Sequence, residues 1–298
     1  MPEQFNFEKP KEEDAEKKVI DELRSITLEK LKDISDGHGL GHVFNVEEKA
    51  KLIALGEGQS VFMADAGALT HDWGRADEPT DPLKRYHAEL SFEAAKEPYR
   101  RFYEQGRITA KQYGEIMRAV KHHSLSKVTA RKILPIIRDA DKLSRYGAVG
   151  MYQNMLAYSE MADVPFYLDG QPVIREQAAP VMGRKDVKCY IDNFNFVLDW
   201  RKMMETESGK KIELALEPSW RAFMDLVSRH LDINDKDFWL GYLKSRAEIV
   251  QAKALLNKKS SDNKMETFED QLELLRRTED ASIFSEEEFQ KYLSEYKK

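Results

Sequence analysis

Residues 60–74, SVFMADAGALTHDWG, decide how this chain reads. On a helix of 3.6 residues per turn, Ala64 and Ala68 share a face that ends on His71, with Asp72 beside it. An imidazole and a carboxylate therefore close an apolar stripe that belongs in a core. Burying an unpaired carboxylate is costly. The pair calls either for a satisfied polar pocket or for a ligand.

Two other segments repeat the pattern. In GHVFNV, His42 stands at the head of the stripe Val46, Ala50, Ile53. In ILPIIRDADKL, Asp141 ends the stripe Ile133, Ile137. Each segment places a metal-ligand type at the polar end of an apolar face, and one shared cation accounts for all of them. Imidazoles and carboxylates from separate helices are a common way to hold a divalent ion, and this donor set suits Mn, Mg, Fe, Co, Ni or Zn. The structural alternative reads His71-Asp72 as a helix C-terminus stopped by Gly74. It reads Asp141 as an ordinary acid near Lys142 and Arg145.

GHVFNV, ALTHDWGR, KHHS and RDADKL resemble the HD-domain superfamily of metal-dependent phosphohydrolases, whose pattern is His, then His-Asp, then a later Asp. The resemblance carries His42, His71, Asp72 and Asp141 onto the metal-ligand positions. DADKLSRYGAVGMY is similar to the stretch after the last Asp in one bacterial, nucleotide pyrophosphohydrolase-like branch. METESGKKIELALEPSWRAFM resembles that branch's Thr-x-x-Gly-Lys helix pair. The likeness covers roughly residues 36–232. Asn45 departs from the branch, which often has Arg or Lys there, so a basic phosphate contact from this helix is not expected. The resemblance implies an all-α HD-domain helical bundle. It implies hydrolysis of a phosphate ester or anhydride, most readily of a nucleotide. The same fold also hosts two-iron oxygenases and non-catalytic metal-stabilised signalling or binding modules, which stay open as alternatives.

Six of the seven histidines fall between residues 38 and 123. His87 shares a helical face with Leu83, Leu90 and Ala94, and His123 with Ile116 and Val120. His122 points a quarter-turn away, which favours His123. His87 and His123 read as ligands of a second metal, as phosphate-binding or general-acid groups, or as core histidines. The metal count is thus one or two. Asp72 is placed to orient or deprotonate the attacking water. Arg75, Lys121, Lys142 and Arg145 lie near the ligands in sequence and are the candidates for substrate phosphate.

The 298 residues are 41% hydrophobic, enough for a full core, and the formal net charge is −6. Nothing asks for duplex nucleic acid or an anionic membrane. Cys189 is the sole cysteine, so no internal disulfide can form, and a cytoplasmic setting is expected. MPEQFNFEKPKEEDAEKK lacks the apolar core of a signal peptide, and no run approaches a membrane span.

The remaining pattern is helical throughout. Residues 1–35 read as a lead and a first helix with Ile20, Leu23, Ile26 and Leu31 as its stripe, and 36–232 as the HD-type domain. Site helices are expected near 41–56, 60–73, 83–104, 109–123 and 130–145. A helix over 148–162 carries Met151, Met155 and Met161 as core filler. FYLDGQPVI predicts a small hairpin or lid near 165–174 about Asp169-Gly170. Ser208-Gly209 is expected to separate two long helices. Residues 233–298 read as a charged helical extension interrupted by a Lys/Ser/Asn linker. That extension either packs on its own domain or serves docking and homo-oligomerisation.

Overall fold

The computed structural model describes residues 12–35, 37–124, 132–159, 163–170, 173–174, 187–260 and 267–296. It is all-α, with twelve α-helices and no strand among the described residues. The lead at 1–11, Met161 and residues 261–266 of the expected linker lie outside them.

The first layer carries the candidate ligands. It contains α2 (Leu40–Gly56), α3 (Val61–Thr70) and α6 (Ile133–Leu143), packed on one another. The stripes read from sequence are the contact: Val46, Ala50, Ile53, Ala64, Ala68, Ile133 and Ile137 are fully buried. Ser60 caps α3 by accepting the Met63 N–H. The antiparallel pair α4 (His87–Glu104) and α5 (Ala110–His122) packs beside this layer. A reciprocal capping box between Thr109 and Gln112 starts α5.

The N-terminal helix α1 (Glu12–Leu31) lies across α3. Its buried row is Val19, Leu23, Thr27 and Leu31, while Ile20 and Ile26 pack at the margin. Thr27 receives the indole N–H of Trp73 at 2.9 Å, so the residue after the His-Asp pair is pinned from α1.

The second layer comprises α7 (Gly147–Ser159), α8 (Tyr190–Leu198) and α9 (Glu207–Arg229). Met151 and Met155 are core residues of α7. Asp139 of α6 joins the layers, since its buried carboxylate accepts Glu205 N–H, Thr206 N–H and the Thr206 hydroxyl at 2.7–3.0 Å. Gly209 is required there, because a Cβ would stand 2.8 Å from Asp139 Oδ2.

The extension beyond 232 is built into this layer. α10 (Lys236–Ser260) packs along α7, α11 (Phe268–Thr278) against α2 and α9, and α12 (Glu286–Tyr296) on α10. Trp239 is fully buried and stacks on Phe166 and Phe289 at 5.1 and 5.6 Å between ring centroids.

Three expectations need correction. No hairpin forms among the described residues of 165–174, although Asp169 and Gly170 do turn, with Gly170 at φ +77°. The extended run finds other partners. Tyr167 pairs both backbone groups with the Asn234 side chain, and the carbonyls of Pro165 and Phe166 accept N–H groups from the start of α8. Gln171 and Pro172 lie outside the described residues. The helix expected from 83 begins at His87, leaving Leu83 exposed in a turn where Lys84 takes φ 51°. Ser208-Gly209 forms the first turn of α9 rather than a break, because Thr206 supplies its cap.

Candidate metal centre

Four helices or their ends converge on Asp72, one residue past the C-cap of α3. Asp72 Oδ2 lies 3.6 Å from both His42 Nε2 and His71 Nε2. Its other oxygen, Oδ1, lies 3.5 Å from His87 Nε2 and 3.7 Å from His123 Nε2. Asp141 Oδ1 stands 3.3 Å from His42 Nε2. Two trios with mutually close donor atoms result, His42–His71–Asp72 and Asp72–His87–His123, sharing one carboxylate. Gly74 allows the second trio to form. A Cβ there would meet the His87 carbonyl at 2.4 Å and Ser91 N at 2.5 Å, so only glycine lets the start of α4 come this close.

The far side of each ring fixes its near side. His71 Nδ1–H donates to the Ala68 carbonyl at 2.6 Å, and His123 Nδ1–H to the Val120 carbonyl at 2.8 Å. Ser144 Oγ gives its only proton to the Asp141 carbonyl, so it must accept from His42 Nδ1–H at 3.1 Å. These partners leave the Nε2 atoms turned toward Asp72, the arrangement that orients metal-binding imidazoles.

Protonation follows from burial. Desolvation, with Arg145 nearby, pushes His42 down to about 4. Burial pushes His71 down and His87 down to about 4. Burial opposes the Asp72 charge, but Arg75 and the His71 and His87 rings more than offset it and hold the carboxyl well below its ordinary range. Burial opposes the Asp141 charge too, but the adjacent His42 and His71 rings more than offset it and hold that carboxyl low as well. At neutral pH the cluster offers imidazole lone pairs and carboxylates, the protonation state that metal binding requires.

Two buried atoms, His71 Nε2 and Asp72 Oδ1, have no hydrogen-bond partner. A buried polar atom left unpaired costs about 1–3 kcal/mol. Both point into the cluster, and a divalent ion would satisfy them. The residues present therefore fit a metal held by His42, His71, Asp72 and Asp141, with a second position at Asp72, His87 and His123.

The cluster opens into a cavity of about 630 Å³ whose wall includes His87, Asp141, Arg75 and Arg145. Arg75 donates from Nε to Asp72 at 3.3 Å and from Nη1 to Glu78 at 3.0 Å. Arg145 donates to the Gly37 carbonyl at 2.7 Å and to His38 Nδ1 at 3.1 Å. Lys121 and Lys142 are not brought to the cavity. Lys121 is exposed and lies 4.8 Å over the Phe92 ring. Lys142 reaches back to Asp139 at 3.5 Å and the Met203 carbonyl at 3.2 Å. Asn45 is structural, donating to the Ser144 carbonyl and to Gln153.

Several participants escaped the sequence reading. Ser144 sits three residues after Asp141 on its helical face, a spacing that could have flagged it. Glu78 fixes both Arg75 and the His87 backbone N–H. His38, pushed down to about 2 by burial and Arg145, takes a place on the cavity wall. Asn193, Phe196 and Trp200 enter the wall from the second layer, and Asn154 and Tyr158 from α7.

Fold and site together define an all-helical protein with a buried His/Asp centre at the floor of a cavity. The family model for the HD domain matches residues 39–146, which include every member of the two trios and Asp141. That segment is identified as an HD domain. A protein of Lactobacillus plantarum is similar in structure, with a TM-score of 0.53, 20% identity, and coverage of 72% of this chain and 97% of that one. The Lin1889 protein of Listeria innocua is similar at TM-score 0.50 and 17% identity, covering 74% and 99%. An HD-superfamily hydrolase of Bacillus thuringiensis gives 0.48 and 18%, covering 75% and 100%. The first two likenesses speak for the fold alone. No curated protein matches the chain.

Proposed function

We propose that the chain is a metal-dependent phosphohydrolase that cleaves a small phosphate ester or phosphoanhydride, with a nucleotide as the leading substrate class. The observation that carries this reading is the partnerless Asp72 Oδ1 and His71 Nε2, buried behind the His87 and Asp141 wall of an arginine-bearing cavity. When bound, a divalent ion supplies Lewis acidity and brings the pKa of water toward neutrality.

The chain's own residues supply the rest. Arg75 has Nε and Nη1 committed to Asp72 and Glu78, which fixes its guanidinium plane, and Nη2 is the nitrogen offered to a phosphoryl oxygen. His38 accepts from Arg145 at Nδ1, so its Nε2–H is a second donor for substrate. Asp72 is held too far below neutrality to be an efficient base, so it orients water and ligands rather than taking the proton. The low His87 favours a lone-pair role over that of a general acid. Trp200, Phe196 and Tyr158, with the amides of Asn154 and Asn193, give the outer wall aromatic and hydrogen-bonding groups suited to a nucleobase. The proposed setting is cytoplasmic, without duplex nucleic acid. No helix among the described residues is long and apolar enough to cross a membrane.

The test is a panel of nucleotides, sugar phosphates and phosphodiesters, offered to metal-stripped protein with each divalent ion added back. Release of phosphate or pyrophosphate from nucleotides supports the full reading. Release only from other phosphates retains the hydrolase and rejects the nucleotide. Silence together with iron-dependent oxygen consumption would replace the hydrolase with an oxygenase.

A further inference from the structure

Glu279, in the C-terminal extension, reaches back to the start of α7. It is the C-cap of α11 and is buried. Its Oε2 accepts the Ala148 N–H at 2.9 Å from 131 residues away in the chain. Gly147 opens α7 at φ +72°, and a Cβ there would stand 2.6 Å from Glu279 Oε1. A carboxylate suits the N–H groups and the positive end of a helix N-terminus. Helices commonly take their capping oxygen from their own N-cap side chain, whereas α7 takes it from the extension. Burying a carboxylate is costly. Burial does push the Glu279 carboxyl up, opposed by Lys49, the Ala148 N–H and Lys253.

α7 in turn touches both ends of a bridge on the cavity wall. A Cβ at Gly150 would meet the Arg145 carbonyl carbon at 2.4 Å, so the first turn of α7 lies on the Arg145 backbone. A Cβ at Gly37 would meet the Ala157 backbone at 2.6 Å, so the last turns of α7 lie on the loop that carries the acceptor. Between these contacts Arg145 donates to the Gly37 carbonyl at 2.7 Å and to His38 Nδ1 at 3.1 Å, and Arg145 and His38 both line the cavity.

We propose that Glu279 is a positioning residue for the cavity. By holding the first turn of α7 it fixes Arg145 and, through Arg145, His38, so the C-terminal extension completes a site whose metal ligands all lie within residues 39–146. The consequence for turnover rests on the phosphohydrolase reading, and the effect on Arg145 and His38 does not.

The test compares the full-length parent with Glu279→Ala, Glu279→Gln and Gly147→Ala. Gln keeps an oxygen for the Ala148 N–H, Ala removes it, and Gly147→Ala drives a methyl group against the carboxylate. The first readout is the nitrogen-15 resonance of His38 Nδ1, which reports the hydrogen bond from Arg145 and is assigned with His38→Gln. Glu279→Ala and Gly147→Ala should shift it, and Glu279→Gln should leave it near its parent position. Bound metal per chain should be equal in all four proteins. On whichever phosphate the parent hydrolyses, KM should rise about tenfold in Glu279→Ala with kcat held within about twofold, and Glu279→Gln should restore it. An unmoved His38 resonance in folded Glu279→Ala, or an equal shift in Glu279→Gln, would overturn the proposal, and if Glu279→Ala does not fold, Gly147→Ala carries the same comparison. A shifted resonance with unchanged KM would overturn the role in turnover. A parent that hydrolyses no phosphate would sink the hydrolase reading alone, since the His38 resonance still decides the positioning.

Discussion

His87 Nε2 lies 3.1 Å from His123 Nε2, and both nitrogens face the one Asp72 oxygen that has no hydrogen-bond partner. The rings come from different helices and were brought together by the glycine at 74. Since His123 donates from Nδ1 to Val120, its Nε2 is directed into the cluster. A second metal position is the expectation tested here. At saturating Mn or Co the protein should hold two ions per chain, and His123→Ala should hold one with the fold retained. Metal analysis after desalting reads this directly. An unchanged count in the variant would remove the second position.

Ser144 touches no metal in this account, yet it sets the His42 tautomer through Nδ1. Ser144→Ala should therefore weaken metal affinity about 10–100-fold and leave the apo protein's Tm nearly unchanged. Competition with a chelating dye measures the affinity. Equal affinity in the two proteins would show that the ring is oriented by packing alone.

Asp65 offers a pH test away from the centre. Burial, with the Glu47 carboxylate beside it, pushes its pKa up from 3.8 to about 7. The folded state thus holds the proton more tightly than the unfolded state. That stabilising contribution is complete below the unfolded pKa and is lost as pH rises through the folded one. Asp65→Asn should be more stable than the parent at pH 8, with the gap closing as pH falls toward 4. Parallel melting curves across that range check it, and a gap independent of pH would contradict it.

Trp239 tests whether the C-terminal extension belongs to the core. It is fully buried between Phe166 and Phe289. Trp239→Ala should cost about 3–5 kcal/mol, read by urea unfolding as a lower midpoint. A loss below about 1 kcal/mol would mean that residues 233–298 dock loosely on the domain, since such a loss is what surface sites show.

Much of the centre was legible because each ligand ends an apolar stripe, and burial of that stripe fixes where the ligand points. The same geometry sorts the four basic candidates. Arg75 is three residues after Asp72 and Arg145 four after Asp141, so each shares a helical face with its ligand. Lys142 follows Asp141 by one residue and Lys121 precedes His123 by two, which turns both away, toward Asp139 and Phe92. Nearness in sequence without the right phase misplaced them. The hairpin failed for a tertiary reason, since Asn234, 67 residues later, takes the backbone groups of Tyr167. The outer cavity wall was hidden for the same cause. Trp200 and Asn193 come from the second layer, which Asp139 ties to α6 at the start of α9.

The most direct test of the central claim measures metal content and phosphate release together in the parent and in Asp72→Ala. Metal-dependent hydrolysis is expected in the parent. Both bound metal and turnover should be lost in the folded variant, because Asp72 serves both trios. A folded Asp72→Ala that keeps its metal and its full rate of phosphate release would contradict it.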